Sequence, residues 1–386
     1  MKRKRLVSIA HSYVVALNRR LAHEMARVGD EWEVTAVSPA FLHGDLRPIS
    51  VEPYEGEACD LETVPLHFTR RAHSMLYGRR LKEILQRRWD IVHCWEEPYV
   101  LSAGQIARWT PPDTPFVFWT AQNLPKRYPP PFSFVERYCV DRCAAWMACG
   151  QSVVDALGPR GYAAKPHRVI PLGVDVEHFQ HNASARRRIR ERLDWNDEIP
   201  VIGYLGRFVA EKGLPLLMRA LDAVETPWRA MFVGGGPMER QLRDWAAQHG
   251  DRVRVVTGVP HDAVPAHLSA MDVLCAPSQT GRRWREQQGR MIIEAFATGV
   301  PVISSDSGEI PHVVADAGIV LPEALLDKWT HAIATLLSSP ERRRELSERG
   351  LERAHRVYSW PVIARAHIAL FDEILDTRAA ASVTVD

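Results

Sequence analysis

Short apolar runs alternate along the chain with longer stretches in which apolar residues recur every third or fourth position. The runs carry few polar interruptions, as expected of strands buried on both faces of a parallel sheet, and the longer stretches carry the helical period. Strands are predicted at 5–10, 33–37, 91–94, 116–119 and 146–149, then at 200–205, 230–233, 253–257, 273–276 and 302–304. Helices are predicted at 14–28, 74–88, 132–144, 185–192, 323–337, 341–358 and 360–376, with Ser359 as the N-cap of the last. Strand followed by helix from end to end is the pattern of an α/β chain with parallel sheets. The rhythm breaks at residues 171–179 and restarts with a clean strand after Pro200. The organisation is therefore a first domain over 1–172, a second over 173–358 and a closing segment over 359–386, of which 378–386 is small and polar enough to be disordered.

The length of 386 residues agrees with two domains of ordinary size. With 46% hydrophobic and 25% charged residues the composition is that of a soluble globular protein, which excludes a disordered chain, a collagen-like fibre and a polytopic membrane protein. Forty-nine Lys+Arg against 47 Asp+Glu leave a charge of +2, too small for a dedicated nucleic-acid binder. The opening MKRKRLVSIA is basic then apolar, but the apolar part stops at His11 and Ser12 with no cleavage site, so it reads as a buried first strand. Six scattered cysteines without a secretory signal read as reduced thiols and place the chain in the cytoplasm. Cys139 and Cys143, four apart on a helix, read as packed core residues rather than metal ligands.

Parallel α/β sheets bind ligands beyond the carboxyl ends of their strands, often with phosphates at a helix N-terminus. Gly234-Gly235-Gly236-Pro237 fails as a dinucleotide fingerprint because the third glycine's place holds Glu239, and Ala10-His11-Ser12-Tyr13 has no glycine. Lys212 is followed by Gly213 rather than Ser or Thr, so a Walker A loop fails as well. Hydride transfer on NAD and P-loop hydrolysis are thereby disfavoured. The strand ending at Gly206 runs into Arg207 and, five residues on, Lys212. A bidentate guanidinium and a point charge at a strand's carboxyl end suit a diphosphate, the alternative being a solvated loop that starts a helix. Beyond Pro277-Ser278, Glu286 and Glu294 stand eight apart around Gly289. The glycine permits close backbone approach, the helix starting there presents free N–H groups, and the two carboxylates can face one cavity.

These segments occur in order with Ile170-Pro171-Leu172-Gly173-Val174-Asp175, Met271-Asp272-Val273 and Ala295-Phe296-Ala297-Thr298-Gly299-Val300-Pro301-Val302. Together they resemble the GT-B glycosyltransferases of family 4, a retaining group that uses nucleotide-sugar donors. The likeness is specific over residues 165–322 and diffuse before them. It implies two Rossmann-like domains facing across a cleft, acceptor domain first and donor domain second, with the C-terminal helix from Trp360 returning to the first. It implies that Arg207 and Lys212 bind the donor diphosphate beside Gly206 and Gly235, and that Glu286 holds hydroxyls of the donor sugar. The backbone of Gly289, Arg290 and Met291 would lie along the phosphates, Glu294 would bind the ribose, and Val259 would lie beside the nucleobase. Catalysis would rest on Arg207, Lys212 and Glu286, with neither metal nor cofactor. The leaving phosphate itself would take the acceptor proton. The donor would be a UDP- or GDP-sugar, and the acceptor a glycan or lipid-linked hydroxyl in polysaccharide, lipopolysaccharide or glycolipid synthesis.

The chain departs from the family in its first half. His11 and Ser12 stand where a Gly-Gly loop is usual, and Gln122 stands where many members carry a His near the reacting carbon. Gln cannot titrate, so positioning is the most it offers. Glu96 and Glu97 follow strand 91–94, and His11, Ser12, Glu97 and Gln122 are the acceptor-contact candidates; His93 reads as a core histidine. Arg70-Arg71, Arg79-Arg80, Arg87-Arg88 and Arg186-Arg187-Arg188 are solvated faces or, since relatives glycosylate lipid-linked acceptors, contacts with anionic lipid at the inner face of the cytoplasmic membrane. The rival readings are a catalytically silent scaffold subunit and a nucleotide-sugar hydrolase or synthase on the same fold.

Overall fold

Leu6 and Val7 are adjacent, fully buried, and belong to different hydrophobic clusters, because successive side chains of a strand point to opposite faces of its sheet. The same split sends Val201 and Ile202 into separate clusters. Each sheet is therefore buried on both sides, which is why its strands read as unbroken apolar runs. The structure, a computed structural model, describes residues 3–43 and 48–383. It divides into two compact units, Met1–Gly173 with Trp360–Asp386, and Val174–Ser359.

In the first unit the strands are β1 (Lys4–Ile9), β2 (Trp32–Pro39), β3 (Asp60–Val64), β4 (Ile91–Cys94), β5 (Phe116–Thr120), β6 (Ala145–Ala148) and β7 (His167–Val169). They form one parallel sheet in the order β7-β6-β5-β4-β1-β2-β3. In the second unit β8 (Val201–Arg207), β9 (Arg229–Gly235), β10 (Val253–Val256), β11 (Val273–Ala276), β12 (Val302–Ser305) and β13 (Ile319–Leu321) form a parallel sheet in the order β10-β9-β8-β11-β12-β13. Both orders reverse at the first strand of their sheet, the doubly wound arrangement that opens a crevice at the strands' carboxyl ends.

The predicted strands are present, and three more, β3, β7 and β13, extend the sheets at their edges. The helix expected over 74–88 is not one helix. Residues Ala72–Ser74 make a single 3₁₀ turn, Leu76–Tyr77 pairs antiparallel with Leu66–His67, and only Arg80–Leu85 is α-helical. The Gln105 side chain accepts from the Tyr77 amide at 2.7 Å and donates to its carbonyl at 2.8 Å, holding that backbone extended. The helix expected over 341–358 stops at Arg353 and closes with a π turn, Ala354–Tyr358. Ser359 gives its hydroxyl to the His355 carbonyl at 2.8 Å. The last helix runs over Trp360–Val383, so the tail expected to be disordered is helical as far as Val383. Cys139 and Cys143 are core residues. No helix among the described residues is long and apolar enough to cross a membrane.

The last helix buries Trp360, Ile363, Ala364, His367, Ile368, Phe371 and Ile374, a stripe at helical spacing, against the first unit. Lys4 Nζ and Trp32 Nε1 bind Asp372 at 2.6 and 3.2 Å beside it. His93 of β4 lies under this helix, its ring 5.4 Å from that of His367. Burial holds both imidazoles neutral, pushing His367 down to about 4 from an ordinary 6.5 and His93 well below that range. The unfolded chain takes up the His367 proton near 6.5 and the folded chain only near 4, so stability is lost as pH falls through that window, and His93 adds to the loss in the same direction. His367 alone is expected to remove about 3 kcal/mol between neutrality and pH 4. Urea midpoints at pH 7 and 4.5 check this, and His367→Leu should reduce the difference, leaving the part due to His93; equal midpoints in the parent protein would refute it.

Candidate functional site

In the second unit the site grows from three strand ends. Strand β8 runs out at Arg207, opposite Gly235 of β9. The Tyr204 hydroxyl donates to the Arg207 carbonyl at 2.7 Å and fixes the backbone there. The Arg207 side chain is exposed, and among the described residues it makes no ion pair. Past a 3₁₀ turn, Ala210–Lys212, the chain turns at Gly213 into the next helix.

Lys212 Nζ lies 2.5 Å from Glu286 Oε2, and the Ser278 hydroxyl donates to the same oxygen at 2.7 Å. The Ser305 hydroxyl in turn donates to the Ser278 carbonyl at 2.5 Å. Glu286 is 6% exposed, and its carbonyl accepts from the Glu309 amide at 3.0 Å. The Lys212 ammonium also sits 5.1 Å from the Trp284 ring centroid. A cation and an anion held with little exposure form a strong local dipole.

Gly289 precedes the helix Arg290–Ala297 with φ of 73°, a left-handed conformation that favours glycine. A Cβ there would stand 2.9 Å from Ile292 Cδ1 and 3.7 Å from Glu286 Cγ. The first amides of this helix have no intrahelical partner and favour a negative group. Met291 closes against Gly206, its methyl 3.9 Å from where a Gly206 Cβ would be. One turn on, Glu294 is 5% exposed, with Arg290 Nε at 3.1 Å and His261 Nε2 at 3.4 Å from its Oε1. That oxygen is buried and, among the described residues, accepts no hydrogen bond of good geometry. Val259, two residues before His261, packs on the cluster beneath.

The candidates of the first unit stand at the ends of β1, β4 and β5. His11 does not project freely: its amide donates to Glu96 Oε1 at 2.7 Å and its Nδ1 meets Glu96 Oε2 at 2.5 Å. The Tyr77 hydroxyl donates to Glu96 Oε1 at 2.7 Å. The Ser12 carbonyl accepts from Asn18. Thr120 links the other two candidates, donating to Glu97 Oε2 at 2.5 Å and accepting from the Gln122 amide at 3.2 Å. Burial raises the Glu97 carboxyl to about 7 even though Thr120 and Ala121 donate to it. The Gln122 side-chain amide donates to the Tyr128 hydroxyl, and its Oε1 accepts from Leu124 at 3.2 Å.

The structure thus brings together Lys212 with Glu286, Gly206 with Met291, and Arg290 with Glu294, and joins Glu97 to Gln122 through Thr120. Sequence reasoning did not find Trp284, Ser278, Tyr77 or Tyr128 as partners of those residues. Of the arginine runs, Arg80 and Arg87 meet Glu62, and Arg186 meets Asp197 and Asp272.

Residues 185–353 match the family Glycosyl transferases group 1, and residues 14–178 match Glycosyltransferase Family 4. The chain is 35% identical over 237 residues to a GDP-mannose-dependent alpha-(1-6)-phosphatidylinositol monomannoside mannosyltransferase of Mycolicibacterium smegmatis, covering 59% of this chain and 58% of that protein. The chain spans about half the length of the first curated relatives it matches. A glycosyltransferase from Rickettsia africae superposes with a TM-score of 0.75 at 17% identity, over 97% of this chain and 99% of that one. Anabaena HepE in complex with UDP superposes with a TM-score of 0.69 at 16% identity, over 96% and 100%. The chain belongs to the GT-B glycosyltransferases of family 4.

Proposed function

We propose that the protein is a retaining, metal-independent glycosyltransferase that moves a sugar from a UDP- or GDP-sugar to a hydroxyl of a glycan or lipid-linked acceptor. The observation that carries this reading is the Lys212–Glu286–Ser278 cluster against the N-terminus of the Arg290–Ala297 helix, with Arg207 at the end of β8 making no ion pair among the described residues. Departure of a diphosphate requires positive charge where negative charge develops, and Arg207, Lys212 and the helix amides supply it. Glu286 would accept hydroxyls of the donor sugar, and Glu294, with a buried oxygen still open, the ribose hydroxyls. The anomeric carbon–oxygen bond breaks, the acceptor oxygen bonds on the same face, and its proton passes to the leaving phosphate. Glu97, Gln122, His11 and Ser12 would bound the acceptor. The mannosyltransferase relative favours a GDP-sugar and a glycolipid acceptor, and the UDP complex of HepE supports the alternative nucleotide.

Calorimetry with GDP, UDP, ADP and TDP tests the donor. One diphosphate should bind clearly best, and Arg207→Ala should weaken it about 10–100-fold, the loss of a charge-assisted contact, without changing the urea midpoint. Binding of none of the four would overturn the reading. Binding without turnover on any acceptor would instead favour a silent scaffold.

A further inference from the structure

Away from these residues, the first unit holds a cavity of about 600 Å³ between the Phe132–Arg142 helix and the turns at Pro159–Tyr162. Three guanidiniums line it, those of Arg127, Arg137 and Arg160. Arg160 pairs with Glu136 at 2.5 Å, and the Tyr162 hydroxyl binds the other Glu136 oxygen at 2.8 Å, so that carboxylate is fully engaged. Arg160 Nη1 is buried and has no hydrogen-bond partner among the described residues. Arg127 and Arg137 are exposed at the rim, and among the described residues neither makes an ion pair, although Asp141 stands one helical turn from Arg137. One wall is aromatic and fixed: the Tyr128 ring stacks on Tyr99 at 3.9 Å, with Arg160 5.8 Å from its centroid. Tyr128 also receives the Gln122 amide, which ties the wall to an acceptor candidate.

We infer that this cavity binds a phosphorylated sugar or polyol. The uncompensated guanidiniums take the phosphate, for which their planar fork is suited. Asp141 and the Ser133 hydroxyl offer partners for ring hydroxyls, and Tyr128 offers a face for the C–H side of the ring. That this ligand is the acceptor rests on the transferase reading; that it binds does not.

The test uses the full chain and two probes: glucose 6-phosphate by calorimetry, and vesicles of phosphatidylcholine with or without phosphatidylinositol by co-sedimentation. Arg127→Gln and Arg137→Gln, both at exposed positions, should together weaken the probe that binds at least about tenfold and leave GDP and UDP binding unchanged. Glucose 6-phosphate binding that the variants weaken identifies a soluble ligand; phosphatidylinositol-dependent sedimentation that they weaken identifies a lipid headgroup. Absence of both, or binding indifferent to the two substitutions, overturns the inference. Failure of nucleotide binding with this result intact would count against the donor reading alone.

Discussion

Glu286→Gln is expected to lower kcat/KM for the nucleotide sugar on the order of 10²–10³-fold while far-UV circular dichroism stays that of the parent. The amide keeps the shape of the carboxylate and one acceptor oxygen, so Ser278 retains a partner. What it loses is the charge that holds Lys212 at 2.5 Å. The ammonium would then be held by a neutral amide oxygen and the face of Trp284, without a counter-charge, and a point charge that wanders stabilises a leaving diphosphate poorly. Breaking a buried pair can cost about 3–5 kcal/mol, so the urea midpoint must be read on the same sample. A rate loss in a folded protein supports the assignment. A parent-like rate removes Glu286 from the machinery.

The sequence shows this site better in one half of the chain than in the other, for a physical reason. Arg207 and Lys212 follow directly on a strand's apolar run that ends in Gly206, and Gly289 opens the helix that carries Glu294 one turn in, so each lies on a segment whose local pattern is visible. Their partners are distant: Lys212 and Glu286 are 74 positions apart, and His11 and Glu96 are 85 apart. No local pattern encodes such a pair. In the first unit the acceptor candidates are absorbed into a network with Tyr77, Thr120 and Tyr128 that only tertiary folding reveals. The same distinction governs the fold. Strand β3 was missed because a sheet edge buries little: only Val64 of Asp60–Val64 is fully covered, so the segment lacks an apolar run. The error over 74–88 arose from Gln105, a side chain 28 positions beyond the backbone it holds extended. The last helix was legible because its buried stripe keeps a strict helical period over its first four turns.

Two glycine substitutions should separate the scaffold of the donor site from its contact surface. Gly213 has φ of 74°, and a Cβ on it would lie 1.7 Å from the Pro277 carbonyl oxygen. Left-handed backbone costs a non-glycine residue on the order of 1–3 kcal/mol before any clash is counted. The obstacle here is backbone, its carbonyl itself accepting from Gln279 Nε2 at 2.9 Å, so the turn carrying Lys212 and the segment carrying Ser278 must move apart. Both side chains bind the same Glu286 oxygen. Gly213→Ala should therefore lower stability by about 3 kcal/mol or more and weaken nucleotide binding in the fraction that remains folded. Gly235 faces the opposite circumstance: a Cβ there meets nothing within 4 Å, and its backbone lies outside the left-handed region. Gly235→Ala should leave the urea midpoint within about 0.5 kcal/mol of the parent. Any fall in GDP or UDP affinity in that variant then reports a ligand approaching the end of β9 more closely than a methyl group allows. Unchanged affinity in Gly235→Ala would take Gly235 out of the donor site while leaving the clamp on Glu286 untouched.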